Sequence, residues 1–214
     1  MAPDGDPIGD WLHQGTSDPG EVADRYDEWA SGYDDDLASW SYQAPAVVAE
    51  AVVRRQPTAA SVLDVGCGTG LVGRALRARG FAGRIQGLDI SQASLEIARQ
   101  SGAYDSVEQA DLQQRLPLPD DSVDALVCVG VMTYLPDVER VWREFARVTR
   151  SGGLVVATQR EDLWDPRSCQ AVIEALQKDE VWTPLEIAGP APYLPEGYGG
   201  TPAVACYYLT ARVS

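Results

Sequence analysis

The sequence predicts an α/β fold built on a doubly wound parallel sheet, and three observations carry that expectation. Short apolar runs alternate with helical patterns between residues 61 and 158, an order that gives right-handed crossovers. Residues 61–70 read SVLDVGCGTG, an apolar strand running straight into a turn built from Gly66, Gly68 and Gly70. A second strand ends in a carboxylate, Asp89, nineteen residues beyond Gly70.

Residues 1–20 are rich in Asp, Gly and Pro and are expected to form a flexible leader. The rest, 21–214, reads as a single domain, with 21–57 as an N-terminal helical lid. Val22, Tyr26, Trp29, Tyr33 and Leu37 recur at helical spacing, and Gly32 predicts a break into two short helices. A further helix is expected over 45–55, with Pro57 beyond its end.

Strands are then expected near 61–65, 84–89, 105–109, 123–129 and 153–158, with helices near 70–79, 92–101 and 137–149. Ser91 and Asp137 suit N-caps, while Gly80, Gly102 and the run Ser151-Gly152-Gly153 mark helix ends. Residues 165–179 read as another helix. Residues 181–187 and 204–213 are β-rich, with a Pro/Gly-rich loop between them.

At 214 residues the chain can bury one full core but not two ordinary ones. A net charge of −15 opposes nucleic-acid binding, which draws most of its non-specific affinity from phosphate contacts. Arg74, Arg77, Arg79 and Arg84 are too sparse for a phosphate track and read as a solvated helix face. No apolar run approaches the roughly 20 residues needed to cross a bilayer, and the acidic start lacks signal regions. Cytoplasmic residence without membrane contact is expected. Cys67, Cys128, Cys169 and Cys206 form no C-x-x-C pair and read as buried free thiols. His13 is the one histidine, so no metal site is indicated.

The glycine turn followed by Asp89 points to a nucleoside-containing cofactor, with the carboxylate on the ribose hydroxyls. Two such cofactors compete. Gly68, Gly70 and Gly73 satisfy the dinucleotide fingerprint G-x-G-x-x-G, but the strand ends at Gly66, two residues too early. Asp64 would also face the diphosphate, with no Arg or Lys between 56 and 73 to offset it. S-adenosylmethionine carries an ammonium and a sulfonium instead, and an acidic residue suits that cation.

Residues 62–70 resemble the first motif of class I S-adenosylmethionine-dependent methyltransferases, and residues 124–135 resemble their fourth strand and its turn. Tyr26, Trp29, Tyr33 and Asp34, followed by Tyr42 and Pro45, are similar to the Williams–Beuren-region methyltransferase-like proteins. The resemblance implies a Rossmann-like seven-stranded sheet of order 3-2-1-4-5-7-6 with the last strand antiparallel. It implies that Asp64, Gly66, Cys67, Gly68 and Gly70 hold the methionyl part, and that Asp89 holds the ribose. Ile90 would then pack on the adenine, Asp111 and Leu112 would read its edge, and the Val129 carbonyl would accept from the ammonium. Tyr33 would reach the cofactor carboxylate, while Trp29 would wall the pocket.

On the acceptor side the resemblance places Met132, Thr133, Tyr134, Gln159 and Arg160, with Tyr193 and Tyr198 closing from the last loop. Tyr134 stands where many relatives carry a histidine or another polar residue, so the resemblance supplies no imidazole base, and Tyr134 itself is the candidate catalytic group. No Asn-Pro-Pro-Tyr-type motif follows the fourth strand, which favours a small-molecule acceptor, aromatic or heterocyclic given the tyrosines. Transfer would be an in-line displacement driven mainly by proximity. The alternatives are a non-catalytic S-adenosylmethionine-binding regulator and a nicotinamide-dependent oxidoreductase.

Overall fold

A computed structural model describes residues 16–194 and 203–214. His13 and Tyr198 lie outside the described residues, as does most of the expected leader. Two helices come first, α1 (Pro19–Ser39) and α2 (Ala44–Arg55). The alternating region follows as β1 (Ser61–Val65), α3 (Leu71–Ala78), β2 (Arg84–Asp89), α4 (Gln92–Gln100), β3 (Ser106–Gln109) and β4 (Val123–Cys128). A 3-10 turn (Met132–Tyr134) leads to α5 (Val138–Val148) and β5 (Thr149–Arg160). The chain ends with α6 (Glu161–Trp164), α7 (Cys169–Lys178), β6 (Trp182–Leu194) and β7 (Val204–Val213).

The strands form one seven-stranded sheet of order β3-β2-β1-β4-β5-β7-β6, as the resemblance implies. Strands β1 to β5 pair in parallel, while β7 runs antiparallel to both β5 and β6. Each face carries its own core. Leu63, Leu126 and Val155 pack against α5 and α7 on one side, and Val62, Val127 and Val156 pack against α2 and α3 on the other. Strands buried on both faces explain why β1 beyond Ser61 and β4 are apolar but for one buried aspartate each, Asp64 and Asp124.

Three expectations need correction. The first helical segment does not break at Gly32; α1 runs unbroken for 21 residues. Asp18 caps it by accepting from the Glu21 amide at 2.9 Å, and Pro19 supplies the first turn. A mid-helix glycine costs about 1 kcal/mol, less than burying any one of Val22, Trp29 or Leu37 stabilises, at about 1.5–3 kcal/mol each. Ser151-Gly152-Gly153 does not end a helix. α5 stops at Val148 and β5 starts at Thr149, which pairs with Val123 before the register slips. Gly152 takes φ +74°, and an added Cβ on Gly153 would lie 2.9 Å from the Asp124 carbonyl. Only glycines follow that bulge. The helix expected over 165–179 begins later, at Cys169.

Candidate active site

The strand order reverses between β1 and β4, and the chain leaves their carboxyl ends through the glycine turn and through Val129–Gly130. Ligands of open α/β sheets bind at such a point. Gly66 has φ +74°, and an added Cβ would sit 2.1 Å from Val131 Cγ2, so the β1 turn can close against the β4 turn only with glycine. Asp89, at the end of β2, is nearly buried. Its Oδ2 accepts from the Gly68 amide and its Oδ1 from the Ser91 amide, both at 2.8 Å. Burial raises its pKa, while backbone donors at Ser91, Gly68 and Ile90 act the other way. Each oxygen keeps a lone pair for a further donor.

These groups open onto a cleft of about 620 Å³. Gly66, Gly68, Asp89 and Ile90 line it from one side, and Asp111, Leu112, Val129 and Tyr134 from the other. The α1 helix closes it with Tyr26 and Tyr33. Asp111 also caps its own turn, accepting from the Gln113 amide at 2.8 Å. A second pocket of about 430 Å³ adjoins it, walled by Trp29, Tyr33, Tyr42, Thr133, Tyr134, Arg160 and Tyr193. Behind the glycine turn lies a recess of about 290 Å³ with Cys67, Thr69 and Val129 on its walls. Tyr33 lines all three spaces.

Four expected site residues do not line these cavities. Met132 faces the core and is 1% exposed. Gln159 is turned inward, its Oε1 accepting from the Arg160 amide at 3.1 Å and its Nε2 lying 3.7 Å from Cys169 Sγ. Gly70 caps α3 and faces the Tyr104 ring and Ala98. Asp64 is wholly buried and receives the Tyr104 hydroxyl at 2.6 Å. Burial pushes its carboxyl up to about 7, against the lowering effect of the Tyr104 bond.

The structure adds residues that no local pattern announces. Asp34 accepts from Thr69 Oγ1 at 2.5 Å and pairs with Arg74, which also donates to the Thr69 carbonyl at 2.9 Å. Asp27 accepts from Ser91 Oγ at 2.6 Å and from the Ala93 amide at 3.0 Å. Two carboxylates of α1 therefore strap it over the turns that carry Gly68 and Asp89. Arg77 is no solvated helix residue either: it donates to the carbonyls of Phe81, Gly83 and Ala103 and pairs with Asp105.

Burial raises the phenols of Tyr26, Tyr33, Tyr42 and Tyr193 above their usual range, so they are neutral donors near pH 7. The Arg160 guanidinium is engaged by Asp162 at 2.7 Å. Among the described residues, no cluster of His, Cys, Asp and Glu could hold a metal ion, and all four cysteines are free and buried. No helix there is long and apolar enough to cross a membrane.

Bare backbone at Gly66 and Gly68, two carboxylates, and no Lys or Arg among the described lining residues fit a ligand bearing hydroxyls and an ammonium. They do not fit a diphosphate. Gly73 faces away from the cleft, and an added Cβ there would lie 2.4 Å from the Tyr104 ring.

Fold and cleft together define a nucleoside-cofactor transferase, and known proteins agree. A family model described as a methyltransferase domain matches residues 63–157. The chain belongs to the class I S-adenosylmethionine-dependent methyltransferases, and S-adenosylmethionine is its methyl donor. It is 33% identical over 174 residues to human Methyltransferase-like protein 27, covering 75% of this chain and 67% of that one. It is 39% identical over 108 residues to the demethylmenaquinone methyltransferase of Bacillus licheniformis, covering 48% of this chain and 46% of that enzyme. The chain thus spans two thirds of the human protein and under half of the bacterial one. A Haloferax volcanii protein solved in complex with the Trm112 methyltransferase activator superposes with a TM-score of 0.67. That likeness covers 90% of this chain and 97% of that one at 22% identity, and speaks for the fold alone.

Proposed function

We propose that this methyltransferase acts on a small aromatic or heterocyclic acceptor held in the tyrosine-walled pocket beside the cofactor cleft. The observation that carries the reading is the shared wall: Tyr26, Tyr33, Gly130 and Tyr134 border both spaces.

Bound S-adenosylmethionine supplies an electrophilic methyl group for in-line displacement, a reaction that gains most from holding the nucleophile close and aligned. Asp89 would hold the ribose hydroxyls, Asp111 and the Leu112 amide the adenine edge, and Ile90 its face. Gly66 and Gly68, with the Val129 carbonyl, would receive the methionyl end, and Tyr33 would donate to its carboxylate. Asp64, beneath the turn, would contribute charge rather than contact. Trp29, Thr133, Tyr193 and Arg160 would orient the acceptor, and the neutral phenols would donate to its polar atoms instead of taking its proton.

Thermal denaturation with candidate ligands tests the cofactor half. S-adenosylmethionine and S-adenosylhomocysteine should raise the melting temperature while NAD and NADP do not, and stabilisation by a dinucleotide alone would sink the reading. Labelled-methyl transfer to a panel of phenols, quinols and N-heterocycles tests the acceptor half, and labelling confined to aliphatic acceptors would refute it.

A further inference from the structure

Tyr104 lies between α4 and β3, off the wall of every cavity above, yet it touches the whole frame of the glycine turn. Its ring fills space that three glycines leave open. An added Cβ would lie 3.0 Å from that ring at Gly70, 2.4 Å at Gly73 and 3.1 Å at Gly87. Gly70 caps α3, Gly73 sits in its first turn, and Gly87 lies in β2. The Tyr104 hydroxyl donates to Asp64 Oδ2 at 2.6 Å and accepts from the Gly73 amide at 3.0 Å. One side chain thus joins β1, β2 and α3, the elements from which the turn is hung. Two of the three glycines that mimic a dinucleotide fingerprint, Gly70 and Gly73, are in this fold part of the socket of a tyrosine.

The surroundings of Asp64 give that hydroxyl a second task. Tyr104, Asp89 from β2, Cys67 from the turn and Cys128 from β4 are the titratable groups around it, and none is a cation. Its Oδ1 is buried without a partner, so the phenol is the donor that favours its charged form.

We propose that Tyr104 is a positioning residue for the cofactor: its ring spaces the glycine turn from β2, and its hydroxyl keeps a negative charge on Asp64 beneath the cationic end of the ligand. The proposal rests on the cleft taking S-adenosyl ligands. Asp64 titrates near 7, so the charge is sensitive to the loss of one donor. Without the phenol the carboxyl holds its proton to higher pH.

Calorimetry of S-adenosylhomocysteine binding between pH 6 and pH 9, on wild type, Tyr104→Phe, Asp64→Asn and the double variant, tests this. Tyr104→Phe keeps the ring. It should bind about tenfold more weakly at neutral pH, the size expected for one lost hydrogen bond to a charged group. Its affinity should rise with pH later than that of wild type. Asp64→Asn should bind weakly with no such rise, and adding Tyr104→Phe to it should change little, since the two act through one bond. Wild-type affinity and pH profile in Tyr104→Phe would overturn the proposal, as would additive losses in the double variant. Should Tyr104→Phe fail to fold, a rise with pH that persists in Asp64→Asn would overturn it alone. Wild type that binds no S-adenosylhomocysteine at any pH would overturn the cofactor reading and this proposal with it.

Discussion

The hydroxyls of Tyr26 and Tyr134 meet at 2.9 Å, although 108 positions separate the residues in sequence. One comes from α1 and the other from the turn after β4, and their rings pack edge to face with centroids 5.8 Å apart. The pair stands between the cofactor cleft and the aromatic pocket, bordering both. A Tyr134 hydroxyl held by a neutral phenol is poorly placed to take a proton.

Tyr134→Phe tests that consequence. A positioned general base contributes about 10²- to 10⁴-fold, so if Tyr134 only orients the acceptor, turnover should fall by less than about tenfold. The pH–rate profile should keep its shape. A loss beyond about 100-fold, with a shifted profile, would restore Tyr134 as the catalytic group.

Asp89→Ala should weaken S-adenosylhomocysteine binding by about 10- to 1,000-fold, because two charge-assisted bonds of about 1.5–3 kcal/mol each are lost and water partly refills the gap. The sequence places Asp89 at a strand end, where removal should spare the fold. The structure adds a cost, since the Gly68 and Ser91 amides lose their acceptor. Chemical denaturation should therefore show a loss of about 1–3 kcal/mol without collapse. Unaltered binding by calorimetry would mean the ribose lies elsewhere.

Asp64 makes stability depend on pH. Its folded pKa, about 7, lies above the roughly 3.9 of an unfolded aspartate. Between those values the unfolded chain binds fewer protons, so the contribution is whole at acid pH and is lost as pH rises through 7. Asp64→Asn removes it. Unfolding free energies measured at pH 5, 6, 7 and 8 should fall more steeply in wild type than in the variant, by on the order of 1 kcal/mol per unit below 7. Parallel curves would place the titration on another group.

Asp34→Asn should loosen the strap between α1 and the glycine turn. Its ion pair with Arg74 is partly exposed, so global stability should change by only about 0–1 kcal/mol. Cofactor release should speed up in stopped-flow measurements, with more rapid amide exchange across 26–37. Unchanged release would show that the strap does not gate the cleft.

Much of the fold was legible in the sequence because its signals are short-range. The β1 and β4 runs, the caps at Ser91 and Asp137, the glycines at 66 and 68 and the strand-end Asp89 each follow from a few neighbouring residues. Through the resemblance they carry the sheet order and the cofactor class as well. Tertiary structure alone decided where side chains go when the backbone leaves regular geometry. Met132 and Gln159 stand beside the cleft in sequence, yet the 3-10 turn and the end of β5 direct them into the core. Gly70 and Gly73 face a tyrosine some thirty positions away instead of a ligand. Asp27 and Asp34, two acids on a helix rich in them, become straps only because α1 folds back over α3 and α4. Local propensity sets an element and its ends, but the direction of a turn residue and the partner of a buried carboxylate depend on contacts between distant segments, which exist only once the chain is packed.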